Sequence, residues 1–346
     1  MLNPAQAEAV QAIEGPVLVL AGPGSGKTRV LTHRIAYLVR VCGVRPYHIL
    51  AVTFTNKAAK EMIARLHGLV GDEASRLTVG TFHAICARIL RRVGAYVGLG
   101  SSFVIYDDDD QQRLVTRVLK ELNLDDKLYR PVAVHAAISR AKNELITPDT
   151  YQPPSYWHEA VARAFARYEE LKAENNALDF DDLLLKAEQL FRQNPEVREQ
   201  YQQRYQFVLV DEFQDTNKAQ YELISHWAGD SHNVFVVGDE DQSIYSWRGA
   251  DFRNVLRFRA DFPDARVFLL ERNYRSTQTV LDAAQAVIAR NTQRVHKNLW
   301  TDAKGGPPIH VFEAYDEREE AEYVVSEIER LMARSRLRAG DCAVMF

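Results

Sequence analysis

The segment AGPGSGKT, residues 21–28, carries residue types that can hold a triphosphate. It follows the apolar run PVLVLA, which is typical of a strand buried on both faces, and it precedes an amphipathic segment typical of a helix. Its glycines would let backbone amides turn inward around phosphate oxygens. Lys27 would reach the β- and γ-phosphates, and the Thr28 hydroxyl would face Mg²⁺. The segment predicts a phosphate-binding loop; the alternative is a glycine-rich turn without a ligand.

A pair of acids ends a second apolar segment, in the sequence LVDEFQDT at residues 209–216. Asp211 falls at the carboxyl end of a buried strand, the edge where ligands bind in open α/β sheets. It could hold Mg²⁺ directly or through water, while Glu212 could polarise a water for attack on the γ-phosphate. The alternative is a pair of acids that only solvates the end of a strand.

An amide, two aromatic rings and a guanidinium occur close together in the segment VVGDEDQSIYSWRGAD, residues 236–251. They belong to Gln242, Tyr245, Trp247 and Arg248. An indole covers the face of any base, at ~1–3 kcal/mol and without sequence preference, and a guanidinium meets phosphate or stacks. The segment is therefore suited to contact a single nucleic-acid strand at one end and a triphosphate at the other. The alternative for Trp247 is a half-buried packing role.

These candidates lie between apolar segments that alternate with helical patterns. The segments that read as strands are residues 16–21, 48–54, 77–82, 207–212, 233–239 and 266–272. Such alternation predicts an α/β fold with a parallel sheet and helices on its faces.

Two stretches depart from this alternation. Between residues 102 and 177 helical periodicity continues while strand patterns largely disappear, which predicts an all-helical insertion. Within it, the acidic run 107–110 is expected to cap the helix that follows rather than to bind a metal. Further along, residues 309–315 predict a strand and residues 318–333 an amphipathic helix, which together would begin a second α/β unit.

Composition limits the classes of protein that remain. The 346 residues predict two to three domains, and no apolar run is long enough to span a membrane. The N-terminus lacks the pattern of a secretory signal, and three cysteines in unrelated contexts favour reduced thiols in a cytoplasm over disulfides or a zinc site. The net charge of −4 gives no bulk attraction to nucleic acid, so binding would depend on local positive grooves and stacking aromatics.

The motifs together resemble the N-terminal part of superfamily 1 DNA helicases of the UvrD/PcrA/Rep family. The segments LNPAQAEAV, AVTFTNKAAKEM, TVGTFHAICARIL, LDFDDLL and LERNYRST complete the family's motifs in its order and spacing. The leading Ala21 of the phosphate loop is usual in that family, whereas Pro23 stands where Ala is commoner. The resemblance covers essentially the whole chain and implies a RecA-like P-loop NTPase fold.

The resemblance also implies a division of the chain and a function. The first RecA-like motor domain would comprise residues 1–101 and 178–275, residues 102–177 would form a helical accessory insertion, and residues 276–346 would begin a second, truncated RecA-like domain. The implied function is an ATP-dependent single-stranded DNA translocase and 3′–5′ helicase in repair or replication restart. Its cofactors would be ATP and Mg²⁺, and its partners single-stranded DNA and single-strand/duplex junctions.

Specific roles follow from the same resemblance. Gln6 would read adenine, Tyr274 would stack on it, and Arg275 and Gln242 would meet the γ-phosphate. Residues implied to bind the nucleotide are Gln6, Gly22, Gly24, Ser25, Gly26, Lys27, Thr28, Arg29, Tyr274 and Arg275. Residues implied to act in hydrolysis are Lys27, Glu212, Gln242 and Arg275, with Thr28 and Asp211 at the metal. Residues implied to contact DNA are Phe54, His83, Phe180, Tyr245, Trp247 and Arg248. For Phe54 and Phe180, burial in the core remains an alternative.

Two other functions remain open from the sequence. A helicase–nuclease subunit shares this N-terminal half and adds a nuclease domain, and a P-loop kinase or nucleotide-dependent interaction module would use the phosphate loop alone. The last residues, AGDCAVMF, read as a turn and the start of a strand, so we expect a longer protein. The family's trans-acting arginine belongs to its later motifs, so residues 1–346 alone are expected to be nearly inactive.

Overall fold

A parallel six-stranded sheet forms the centre of the computed structural model, which describes residues 1–245, 249–251, 253–291, 294–335 and 337–345. The strands are β1 Val17–Ala21, β2 Ile49–Thr53, β3 Thr78–Thr81, β4 Val104–Ile105, β5 Ala177–Leu178, β6 Phe207–Val210, β7 Val234–Gly238 and β8 Arg266–Leu270. The central sheet has the order β3-β2-β6-β7-β1-β8, and each neighbouring pair in it is parallel. The predicted α/β class with a parallel sheet is confirmed.

Helices cover both faces of this sheet and form the insertion. They are α1 Pro4–Gln11, α2 Lys27–Arg40, α3 Asn56–Val70, α4 Phe82–Val93, α5 Asp108–Glu121, α6 Pro131–Asn143, α7 Tyr156–Glu174, α8 Phe180–Gln193, α9 Pro195–Arg204, α10 Lys218–Ala228, α11 Asn254–Asp261, α12 Gln278–Ile288 and α13 Glu317–Ser335. No helix in the described ranges is both long and apolar enough to cross a membrane.

The central strands are apolar throughout because successive side chains point to opposite faces and both faces are covered. Leu18 and Leu20 of β1 pack into a core formed with α4, α8 and α10. Val17 and Val19 of the same strand pack into a second core formed with α1, α2 and α3. This two-sided burial fixes the sheet rigidly, so loops at the carboxyl ends of its strands are held in place.

The helical insertion has a hydrophobic core of its own, formed by residues of α5, α6 and α7. Asp107 caps α5, because its carboxylate accepts from the Asp110 amide while the Asp110 carboxylate accepts from the Asp107 amide. This confirms the predicted capping role of the acidic run. The insertion is not purely helical, since β4 at its start pairs with β5 at its end.

Of the two elements predicted to begin a second α/β unit, the strand at residues 309–315 is absent from the structure. Residues 309–315 are not a strand, and Val311 and Tyr315 are 93% and 96% exposed. An isolated strand leaves its backbone groups unpaired, and these residues have no neighbouring strand in the described part of the chain. The helix predicted at 318–333 is present as α13, but it buries none of its described residues.

Candidate functional site

The predicted phosphate loop joins β1 to α2 in a geometry that requires glycine. Gly24 and Gly26 have φ angles of +64° and +89°, which residues with a Cβ rarely adopt. A Cβ on Gly24 would also lie 2.7 Å from the Cβ of Arg275. Ser25 is buried, and its hydroxyl donates to the carbonyl of Gly22 at 2.6 Å, which closes the loop from inside.

Four side chains from the two chemical segments converge beside this loop. Lys27 places its Nζ 3.4 Å from Glu212 Oε2. Thr28 donates through Oγ1 to Asp211 Oδ2 at 3.0 Å, and Asp211 Oδ1 accepts from the Glu212 amide at 3.1 Å. The Lys27 amine is buried without a hydrogen-bond partner among the described residues. A buried ammonium group that has an ion-pair partner but no hydrogen bond, beside a loop of inward-turned amides, is suited to an anionic ligand.

Asp211 is the residue whose environment best fits a bound cation. Burial, and then repulsion by Glu212, raise the pKa of Asp211 to about 6, while Thr28 and Lys27 act in the opposite direction. A cation at this carboxylate would relieve both effects. The Thr28 hydroxyl and the Asp211 carboxylate are hard oxygen donors, the kind that Mg²⁺ prefers. Both predicted metal ligands therefore fit the ion.

The adenine end of the predicted site is assembled from α1 and the segment after β8. Gln6 is buried and donates from Nε2 to the carbonyl of Ser25 at 2.8 Å, so α1 is fastened to the phosphate loop. Tyr274 is half-exposed, its hydroxyl accepts from Asn3 Nδ2 at 2.8 Å, and its amide donates to the carbonyl of Gly24 at 2.9 Å. The exposed Arg29 donates to the carbonyl of Met1 at 3.1 Å.

Asn273 belongs to this site but was not singled out from the sequence. It is buried, and its Nδ2 donates to the carbonyl of Pro23 at 2.6 Å. Its Oδ1 accepts from the amides of Arg275 and Ser276, each at 2.7 Å. Asn273 thus holds the Arg275 backbone against the phosphate loop. The available signal was an asparagine directly after the strand predicted at residues 266–272, because asparagine side chains often bind the backbone two positions later.

Gln242 lies on a short hydrogen-bonded path to Glu212. Its Nε2 donates to Asp239 Oδ2 at 2.6 Å. The Asp239 amide donates to Gln214 Oε1 at 2.9 Å, and Gln214 Nε2 donates to Glu212 Oε2 at 2.9 Å. The sequence predicted Gln242 and Glu212 separately, whereas the residues that join them, Gln214 and Asp239, were missed.

A cleft of about 1030 Å³ opens between the sheet and α6 of the insertion, at the carboxyl ends of β2, β3 and β6. Phe54 lines it, and its ring stacks on Tyr245 with centroids 5.3 Å apart at 27°. His83 also lines it and makes an edge contact with Phe180 at 6.1 Å. Phe180 is 44% exposed, so the alternative that it is a core residue is wrong, whereas Phe54 is half-buried. Trp247 and Arg248 lie outside the described residues.

The charge of this cleft differs from the expected positive groove. Its lining includes two arginines, Arg140 and Arg253, and four acids. The acids are Glu144, Asp181, Asp215 and Asp251. Burial lowers the pKa of His83 to about 4, so this ring is neutral near pH 7 and adds no positive charge. The cleft therefore favours ring stacking over bulk charge attraction.

A buried ion cluster joins the insertion to the first turn of α8. Lys142 of α6 contacts Asp179 and Asp182, each at 2.6 Å, and Lys172 of α7 contacts the same two carboxylates. Although burial alone would lower it, the neighbouring carboxylates raise the pKa of Lys142. Glu169, Asp179 and Asp182 have the spacing of a metal site, but each of the two ammonium groups already contacts all three carboxylates and together they offset most of the negative charge. The cluster is therefore structural, and it orients the helix that carries Phe180.

Comparison with known proteins agrees with these motifs. The family model for the UvrD/REP helicase N-terminal domain matches residues 2–263, and the model for the UvrD-like helicase C-terminal domain matches residues 268–346. A protein of Staphylococcus epidermidis named ATP-dependent DNA helicase PcrA is 49% identical over all of this chain and 48% of its own length. The protein of that name in Staphylococcus aureus is 48% identical over all of this chain and 47% of its own length. The chain thus spans about half the length of these curated relatives.

Proposed function

The chain belongs to the UvrD/REP helicase family, and on this premise we propose that it works in an ATP-driven motor that moves along single-stranded DNA and separates duplexes. We propose that the movement is 3′ to 5′, that the motor acts in the cytoplasm in DNA repair or replication restart, and that it engages single-strand/duplex junctions. The name of these relatives, ATP-dependent DNA helicase, supports the activity. The activity is proposed for the full-length protein.

The observation that carries this proposal is the convergence of Lys27, Thr28, Asp211 and Glu212 beside the phosphate loop. The Lys27 amine, which lacks a hydrogen-bond partner in the described part of the chain, would neutralise charge on the γ-phosphoryl oxygens in the transition state. Thr28 and Asp211 would hold Mg²⁺, which when bound neutralises charge on the phosphate oxygens.

Glu212 is proposed to act as the base that orients and polarises the attacking water. Its Oε2 accepts a hydrogen bond from Gln214, which fixes the carboxylate, and its other oxygen would face the water. Arg275 and Gln242 are proposed to meet the γ-phosphate, because Arg275 lies against the loop at Gly24 and Gln242 is linked to Glu212 through Gln214 and Asp239.

The aromatic cleft is proposed to hold the DNA strand. Phe54, Tyr245 and Phe180 offer ring faces or edges on which bases of any identity could stack, each worth ~1–3 kcal/mol. His83 would contact the strand as a neutral ring. Trp247 and Arg248 are included on the grounds of sequence. The cleft and the phosphate loop lie at the same edge of one rigid sheet, which supports coupling between hydrolysis and movement.

Strand separation on tailed duplexes tests the proposal. The full-length protein, with ATP and Mg²⁺, is expected to separate a duplex with a 3′ single-stranded tail much faster than the same duplex with a 5′ tail. The Glu212→Gln variant serves as the control, since it should bind the same DNA without separating it. Preference for the 5′ tail would contradict the direction, and no separation of either substrate would contradict the helicase activity.

A further inference from the structure

Three consecutive acids after β7 surround a single buried lysine. The Nζ of Lys297 lies 2.9 Å from Asp239 Oδ1, 2.9 Å from Glu240 Oε1 and 3.3 Å from Asp241 Oδ2. The side chains of Lys297 and Asp239 are both 0% exposed. Arg294 adds a contact to Asp241 at 2.8 Å. The segment 294–297 is thereby fixed to the end of β7 by charge, without a strand or helix of its own.

Asp239 connects this lysine to the site of hydrolysis. One of its carboxylate oxygens faces Lys297, while the other accepts the hydrogen bond from Gln242 at 2.6 Å. Its backbone amide continues through Gln214 to Glu212. Space for this path is reserved by Gly238, where a Cβ would lie 2.8 Å from Gln214 Oε1. The path therefore links Lys297, Gln242 and Glu212 through buried groups.

The position of Asp239 depends on Lys297, because this lysine supplies positive charge to three neighbouring carboxylates. Removing one partner of a buried ion pair leaves the other charge uncompensated, and side chains move to recover partners or water. Without the ammonium, Asp239, Glu240 and Asp241 would repel one another within a few ångströms. Asp239 would then no longer be held in the orientation that accepts from Gln242.

We propose that Lys297 is a positioning residue that holds Gln242, through Asp239, in line with Glu212, and that it thereby couples DNA binding to ATP hydrolysis. The inference rests on the function proposed above. Lys297 lies in the part of the chain matched by the C-terminal family model, whereas Asp239 and Gln242 lie in the part matched by the N-terminal model. A movement of segment 294–297 relative to the sheet would therefore change the position of Asp239 and, through it, that of Gln242.

A double-mutant cycle in the full-length protein tests this role, with Lys297→Met and Gln242→Ala made singly and together. Methionine keeps most of the lysine side chain's length without its charge. Lys297→Met is expected to reduce the stimulation of ATP hydrolysis by single-stranded DNA by about 5- to 10-fold, with little change in KM for ATP. The double variant should lose no more stimulation than Gln242→Ala alone, because both changes break one path.

Two further variants separate this role from simple stabilisation. Lys304→Met, at an exposed lysine in the same region, should leave stimulation unchanged. If Lys297→Met melts below the assay temperature, Lys297→Gln replaces it in the cycle, because it removes the charge while leaving a polar group among the three acids. A loss of stimulation that disappears in the Gln242→Ala background is again expected. The proposal would be overturned if the double variant lost as much stimulation as the two single variants combined. Full stimulation in a folded Lys297 variant would also overturn it. A wild-type rate of ATP hydrolysis that single-stranded DNA does not change would instead contradict the proposed function itself.

Discussion

Glu212 combines an unusual backbone conformation with contacts to two other residues of the site. Its φ of +52° lies in the left-handed region, uncommon for a residue with a side chain, and it directly follows the buried Asp211. Lys27 lies 3.4 Å from one side of its carboxylate, and Gln214 donates to the same oxygen. Strain of this kind, at the end of a rigid strand, is typical of a functional position.

Replacing Glu212 with Gln should separate nucleotide binding from turnover. The amide keeps the shape of the side chain and can still accept from Gln214, but it cannot polarise water. Hydrolysis should fall by about 10²–10⁴-fold while affinity for ATP stays near the wild-type value. Binding titrations with ATP and steady-state rates measure the two effects. A variant that lost affinity more than turnover would assign Glu212 to ligand binding.

The raised pKa of Asp211 predicts a pH dependence of binding. This carboxyl is ionised above about pH 6 and protonated below it, and only the ionised form binds Mg²⁺ well. Affinity for a Mg-bound, non-hydrolysable ATP analogue should therefore be full near pH 7 and fall as the pH drops below about 6, approaching 10-fold per unit. Calorimetric titration over this range measures it.

The control for this pH dependence is Asp211→Asn, which should bind the Mg-bound analogue more weakly and with a flat profile below pH 7. The pKa of Asp215 is also raised to about 6, by burial and by Glu212. If the Asp211→Asn variant kept the same pH dependence, the titrating group would be Asp215 instead, and the assignment of Asp211 to the metal would be contradicted.

At the scale of elements, α8 carries two phenylalanines with opposite environments. Phe180 begins the helix, is 44% exposed and contacts His83 of the cleft lining, whereas Phe191 near the helix end is completely buried in the core. Asp179 and Asp182 in the first turn are held by the lysines of the insertion. The helix thus joins the sheet, the insertion and the cleft.

These two residues provide a matched test of the cleft. Phe180→Ala should weaken binding of a labelled single-stranded oligonucleotide by roughly 1–3 kcal/mol and leave the melting temperature nearly unchanged. Phe191→Ala should do the reverse, because truncating a buried phenylalanine costs about 3–5 kcal/mol of stability. Equal DNA affinity in wild type and folded Phe180→Ala would remove Phe180 from the DNA surface.

Local patterns allowed the elements around the site to be predicted, but contacts between distant segments could not be. The β1–loop–α2 unit and the Asp107 cap depend on neighbours within a few positions, so periodicity and residue type were sufficient. Lys297 and Asn273 act on residues far away in the chain, and nothing in their own segments marks the partner. The strand predicted at 309–315 failed for the same reason, since a strand requires a neighbour.

At the scale of the whole molecule, the residues that follow β6 contribute to both candidate sites. Asp211 and Glu212 follow β6 and face the phosphate loop, and a few positions later Asp215 and Asn217 line the aromatic cleft. The described structure therefore places the phosphate loop and the aromatic cleft on two sides of one short connection. Such an arrangement supports a motor in which occupancy of the cleft changes the rate of hydrolysis.

The rate of ATP hydrolysis by the full-length protein, with and without single-stranded DNA, measures whether the cleft and the phosphate loop are coupled. Saturating DNA is expected to raise the wild-type rate by about 10-fold or more. Lys27→Ala is expected to abolish hydrolysis in both conditions while the protein remains folded, because the Lys27 amine makes no hydrogen bond among the described residues and its ion pair with Glu212 lies within the site itself. A wild-type rate that is the same with and without DNA would contradict the coupling. Near-normal hydrolysis by Lys27→Ala would contradict the assignment of the phosphate loop.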